Sequence, residues 1–218
     1  RMGTAALLRD SLIQSQNYLQ KLNKHKEKPE EAFERQLKWE AMLGVLEGKI
    51  PLRAHAHRAD DILTALRIAE EFGVKIIIEH ATEGHKIAHI LAEKGVSAVV
   101  GPGLTSRSKI ELRELAFRTP GILAKAGVQV ALMTDHPVIP IQYLPICAAL
   151  AVKEGMEEAD AFRAITINAA QIAGIAERVG SIEPGKDADL TIFDGHPFSY
   201  LTRVEQVYVD GKLAYRKE

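Results

Sequence analysis

Between residues 50 and 133 the chain alternates apolar, β-branched runs with helical patterns, and this restricts the fold more than any other feature. Residues 50–55, 74–78, 96–100 and 128–133 read as strands. Residues 60–72, 84–94, 109–118 and 121–126 read as helices, with Gly73 and Gly95 as stop signals. Val74 to Ile78 is nearly continuous in β-branched residues, as in a strand buried on both faces. Strand–helix repeats at this spacing predict βαβ units and a parallel sheet. In such a sheet all strand ends point to one face.

On either side the pattern changes. Residues 4–24 and 30–47 predict two leading helices, the second with Glu31–Arg35 and Glu34–Lys38 four apart on its wet face. Residues 144–154, 157–167 and 168–176 predict further helices. From Val179 onward the chain is turn-rich, with a strand at 188–193. A hairpin follows, built from 204–209, an Asp210-Gly211 turn and 212–216. The expected division is therefore an α/β part at residues 1–176 and a small β element at 177–218.

Composition excludes several classes. The chain is 46% hydrophobic and 26% charged, ordinary for a globular protein. A net charge of −1 gives no electrostatic case for nucleic acid or an anionic membrane. No apolar run approaches the ~20 residues that span a bilayer. One cysteine, Cys147, leaves no internal disulfide and suits a reducing cytoplasm. Arg1 ahead of Met2 suggests that the natural start lies elsewhere.

The strand ends carry the chemistry. His55 and His57 are two apart on one strand and project to the same face. His80 closes the second strand, and Thr134-Asp135-His136 follows the fourth. Two or three imidazoles and one carboxylate meeting there form a ligand set of the zinc type. The plainer readings are structural histidines and, for Asp135, a helix N-cap ahead of Pro137. Regular alternation is expected to turn Glu79 away from this face, as an ion-pair partner. The loop from Gly101 to Lys109 has the composition of a phosphate cradle at a helix start, and Arg107 in it could instead hold a substrate carboxylate. His85 and His89 are expected on a solvated helix face.

At these residues the chain resembles the metal-dependent amidohydrolases, and most closely their imidazolonepropionase-like and prolidase-like members. The resemblance rests on Ala54-His55-Ala56-His57, Ile78-Glu79-His80, Thr134-Asp135-His136-Pro137 and the stretch from Gly180 to Leu190. It covers about residues 50–218. It implies the second half of a (β/α)8 barrel, strands five to eight, followed by part of a β-sandwich. No first-strand His-x-His is present in residues 1–49, and four βα units are about half of the ~250 residues of a whole barrel. The resemblance thus implies the C-terminal portion of a larger protein.

By the same likeness His55 and His80 are metal ligands and Asp135 is both a ligand and the group that transfers the proton. His57, Arg107 and His136 are assigned to substrate. The implied cofactor is one or two divalent ions of zinc type, and the implied reaction is hydrolysis of a C–N bond in a small molecule by metal-activated water. Expected association is with further copies or with the absent barrel half, because a half-barrel has two unpaired sheet edges. Two other readings stand beside this one: a non-catalytic assembly module, and a metal-free, phosphate-binding barrel enzyme.

Overall fold

The computed structural model describes residues 2–218. Two helices lead, α1 (Met2–Glu27) and α2 (Leu37–Leu46), followed by the alternating segment. That segment runs β1 (Leu52–Ala56), α3 (Ala59–Phe72), β2 (Ile76–His80), α4 (Ala88–Glu93), β3 (Ala98–Val100), α5 (Arg118–Lys125) and β4 (Val130–Leu132). Three helices come next, α6 (Leu144–Lys153), α7 (Glu158–Ala164) and α8 (Ile167–Ala173). The chain ends in β5 (Leu190–Phe193), β6 (Val204–Val209) and β7 (Lys212–Arg216).

The first four strands form one parallel sheet in the order β1-β2-β3-β4, as the alternation predicts. Its two faces bury different residues, which is why β2 is apolar on both parities. Ile78 faces the main core with Ile62 and Leu66 of α3, Leu91 of α4, Leu123 of α5 and Ala148 of α6. Ile77 faces the other way, with Val99, Ala131 and Ile172 of α8. Leu123 is fully buried in the main core. Leu123→Ala is therefore expected to cost about 3 kcal/mol through lost transfer energy and the cavity left behind. Urea unfolding measures it, and a loss under about 1 kcal/mol would show that this core collapses to fill the gap.

The last three strands form a separate antiparallel sheet, β5-β6-β7. The hairpin falls where the sequence places it. Val209 faces Lys212 across a two-residue turn whose Asp210 and Gly211 both have positive φ (51° and 71°), the primed turn that suits strand twist.

Two predicted helices are displaced. The second starts at Leu37 instead of residue 30, because Phe33 is drawn out of the helical path onto α1. Its ring lies 5.5 Å from Tyr18 and stacks on His25 at 5.0 Å. Arg35 accordingly pairs with Glu40, which also accepts a bond from the Tyr18 hydroxyl, and not with Glu31. Those two donors hold the Glu40 carboxyl down at about 2. The helix predicted at 109–118 is only a three-residue 3₁₀ turn, Ile110–Leu112. Here the Leu115 carbonyl accepts from Arg107, and Phe117 lies against Gly103, where the missing side chain leaves room. Among the described residues no helix is long and apolar enough to cross a membrane.

Candidate metal centre

Alternation along β1 places Arg53 and His55 on one face of the sheet, and His57 follows just beyond the strand end. In the parallel register His55 lies beside Glu79, and Ala56 beside His80. A regular strand would thus put Glu79 with His55 and send His80 to the opposite, helix-covered face. This corrects the expected orientation of Glu79. It shares the His55 face, and its carboxylate meets the Arg53 guanidinium at 2.5 Å, an ion pair as expected.

His80 nevertheless joins His55. The backbone turns left-handed at His80 (φ 70°) and stays so at Ala81 (φ 47°), a sparsely populated region for residues with a Cβ. Strain of this kind concentrates at functional sites. The result is a compact group of imidazoles: the His80 ring lies 4.1 Å from that of His55 and 4.6 Å from that of His57. One donor nitrogen from each of His55, His57 and His80 falls within 4.8 Å of the others.

The hydrogen bonds run in one direction. His80 Nδ1 donates to the Gly101 carbonyl at 2.7 Å, which leaves its Nε2 as an acceptor. His55 Nδ1 then donates to His80 Nε2 at 3.1 Å, and His57 Nε2 donates to His55 Nε2 at 3.1 Å. The Thr82 hydroxyl closes the chain by donating to His57 Nδ1 at 2.9 Å. With a carbonyl at one end, only this order of neutral tautomers satisfies every contact. Burial favours the neutral rings, pushing His57 down to about 4 with help from His80 and His55. His55 is lowered as well, by burial first and then by His80.

The loop after β2 holds this arrangement. Ala81 N–H donates to the Ala56 carbonyl at 3.1 Å and Glu83 N–H to that of His57 at 2.8 Å. The buried Glu83 carboxylate accepts the Ala59 N–H at 3.0 Å and so supplies the cap that Arg58 does not give α3. Sequence reasoning missed Thr82, Glu83 and Gly101 as supporting groups.

The other residues singled out in the sequence lie further out. Asp135 is exposed just after β4, in a left-handed conformation (φ 51°). It stands outside the 4.8 Å donor group, although its charge reaches His55 and opposes the lowering there. No helix starts at Asp135: residues 135–138 form a turn closed by Val138 N–H on the Asp135 carbonyl, which removes the N-cap reading. His136 is exposed in the same turn. Arg107 is exposed and bonded to Leu115, and its loop leads into the 3₁₀ turn, so the phosphate reading lacks the helix start it needs. His89 is exposed as expected, but His85 is half-buried and bonded to Thr119 at 3.2 Å. A cavity of about 640 Å³ opens beside His55 and His57, bounded by Leu8, Asp61 and Glu111.

A parallel α/β sheet with an imidazole cluster at the carboxyl ends of its strands defines an enzyme-like, strand-end site. Residues 22–214 match the Amidohydrolase family, and the chain belongs to that family. An amidohydrolase from Thermotoga maritima superposes with a TM-score of 0.96 at 50% identity, over 100% of this chain and 57% of that one. An imidazolonepropionase from Fusobacterium nucleatum is 34% identical over 189 residues, 72% of this chain and 45% of that protein. An adenosine deaminase from Xanthomonas campestris with bound Zn superposes with a TM-score of 0.59 at 26% identity, over 79% of this chain and 47% of that one. The chain thus spans about half the length of these proteins.

Proposed function

We propose that this chain is the metal-binding half of a (β/α)8 amidohydrolase that hydrolyses the C–N bond of a small amide or cyclic amide. The open edges at β1 and β4 are then closed by four further strands, from another copy or another segment. The observation that carries the reading is the meeting of His55, His57 and His80 at the strand ends, with the outward nitrogens of His57 and His80 already bonded to Thr82 and Gly101. Orienting bonds of that sort are what ligating imidazoles make. The donor set therefore fits a divalent ion, and a nitrogen-rich set suits zinc better than magnesium or calcium.

His55 and His80 hold the ion in this reading. When bound, such an ion polarises the scissile carbonyl and lowers the pKa of water toward neutrality. Asp135, exposed just after β4 and close enough for its charge to act on His55, takes the proton from the attacking water and returns it to the leaving nitrogen in this reading. His136, next to it, and Arg107 are the groups assigned to substrate in this reading. The name of the Fusobacterium relative and the zinc of the Xanthomonas deaminase support this assignment of reaction class and ion.

Elemental analysis of the longest expressible form tests the proposal. About one equivalent of zinc is expected, and its removal by a chelator should abolish hydrolysis in a screen of amides and dipeptides. A protein that holds no metal after zinc is supplied would sink the reading. Asp135→Asn is expected to lower kcat by about 10²-fold, since positioned acid–base groups contribute at least that much. An unchanged kcat would remove Asp135 from the chemistry.

A further inference from the structure

We propose that Glu111, on the loop after β3, selects the substrate: its carboxylate binds a protonated amine or guanidinium, so that the preferred substrates are cationic amides or lactams with an aliphatic body. The proposal rests on the hydrolase reading above and names the substrate class of that site.

Three observations support it. The first is reach. Glu111 sits in the 3₁₀ turn Ile110–Leu112, on the connection that leaves β3, and β3 is separated from β1 by β2. It nevertheless lines the cavity that opens beside His55 and His57 at the end of β1, and its charge acts on both rings. The loop therefore folds back across the strand ends and delivers a carboxylate there. The second is the lack of a counter-charge. Glu111 is half-buried, yet no described residue gives it a hydrogen bond or an ion pair. A partly desolvated carboxylate is costly until a donor or a cation meets it. The third is charge balance in the cavity wall. Arg58 is taken by Asp60 through two bonds, at 3.0 and 3.2 Å, and the charge of Asp61 acts on Arg58 as well. The wall thus offers a negative group at Glu111 and no unpaired positive one to match it.

The rest of the wall decides what joins the cation to the amide. Ala5 and Leu8 of α1 and Ala65 and Ile68 of α3 make it apolar, so an aliphatic segment is held there by burial. About 640 Å³ is ample for a small molecule of this kind. Repulsion from the ion proposed at His55 and His80 orients the substrate, with its cationic end at Glu111 and its amide at the strand ends. Lys109 stands two residues before Glu111 but is exposed and outside the cavity wall. Its charge also reaches His55 and His57, with the opposite sign. Lys109 therefore works against a cationic substrate, and the selection falls to Glu111.

The test is a panel matched in shape and differing in charge: δ-aminovaleramide, hexanamide and glutaramate, with ornithine lactam against δ-valerolactam as the cyclic pair. In the zinc-loaded, longest expressible form, kcat/KM should favour each cation over its neutral counterpart by roughly 10–100-fold, between an exposed ion pair and a fully desolvated one. Glu111→Gln should bring that ratio to within about threefold of one, and Glu111→Lys should turn the preference toward glutaramate. Lys109→Gln should raise the ratio by about two- to fivefold, and added salt should lower it. A ratio that survives Glu111→Gln unchanged would overturn the proposal. Loss of zinc from Glu111→Gln would overturn it too, since the carboxylate would then serve the ion and not the substrate. If no member of the panel is turned over, calorimetry reads the same ratio in binding. Equal binding of the charge forms, or none, overturns the selection by Glu111, while the zinc content of the parent decides the hydrolase reading separately.

Discussion

On the proposed metal-dependent reading, His80→Ala is expected to abolish metal binding and to lower kcat/KM by at least about 10³-fold, the scale on which metal-centred charge stabilisation acts. His80 is buried and is bonded on both sides, to the Gly101 carbonyl through Nδ1 and to His55 through Nε2. Its loss therefore has two parts. The chemical part is the ligand that the proposal assigns to His80. The structural part is a buried carbonyl without its donor, worth about 1–3 kcal/mol. His80→Asn separates them. Asparagine tolerates the left-handed backbone found at this position and brings an N–H donor back toward Gly101. The asparagine variant should regain most of the lost stability in urea but not the ion, so it stays inactive. If His80→Ala retained a full equivalent of metal, the centre would lie elsewhere.

That experiment also marks what the sequence could and could not reveal. The parallel sheet was legible because β-branched runs such as Ile76-Ile77-Ile78 are separated by helical patterns, and both signals are local. The hairpin was legible for the same reason, through Asp210-Gly211. The meeting of His55 with His80 could be inferred only from the shared strand-end face. Strict alternation would have sent His80 to the helix side, and the left-handed turn at His80 and Ala81 that reverses this has no signature in those two residues. Thr82 and Gly101 were missed because their roles depend on which loop lies beside which strand. Phe33 and Phe117 illustrate the converse failure. Each sits in a helical pattern, yet the ring finds a better partner off the helix, on His25 and Gly103 respectively. Tertiary packing outweighs propensity at such places.

Gly101→Ala is expected to be the most damaging change outside the histidines, at a cost of about 4 kcal/mol, the size reserved for strain and overpacking combined. Gly101 has φ 146°, which only glycine adopts readily, and a Cβ there would overlap the carbonyl oxygen of Met133. Neither neighbour yields easily, because Met133 N–H is bonded to the Val100 carbonyl at 3.0 Å where β3 and β4 run side by side. The backbone at 101 must move, and its carbonyl moves with it, away from His80 Nδ1. The melting temperature should fall by roughly 8–16 °C for a chain of this size. Zinc affinity should fall about 10–100-fold even in protein that is still folded, as when an orienting partner is removed. Gly73→Ala is the control: its φ is 64° but nothing lies within 4 Å of the added Cβ, so only the backbone term of about 1 kcal/mol remains and zinc binding stays intact. Equal losses from the two substitutions would mean that the overlap with Met133 relaxes freely. A stable Gly101→Ala variant with undiminished zinc affinity would mean that the Gly101 carbonyl does not hold His80 in place.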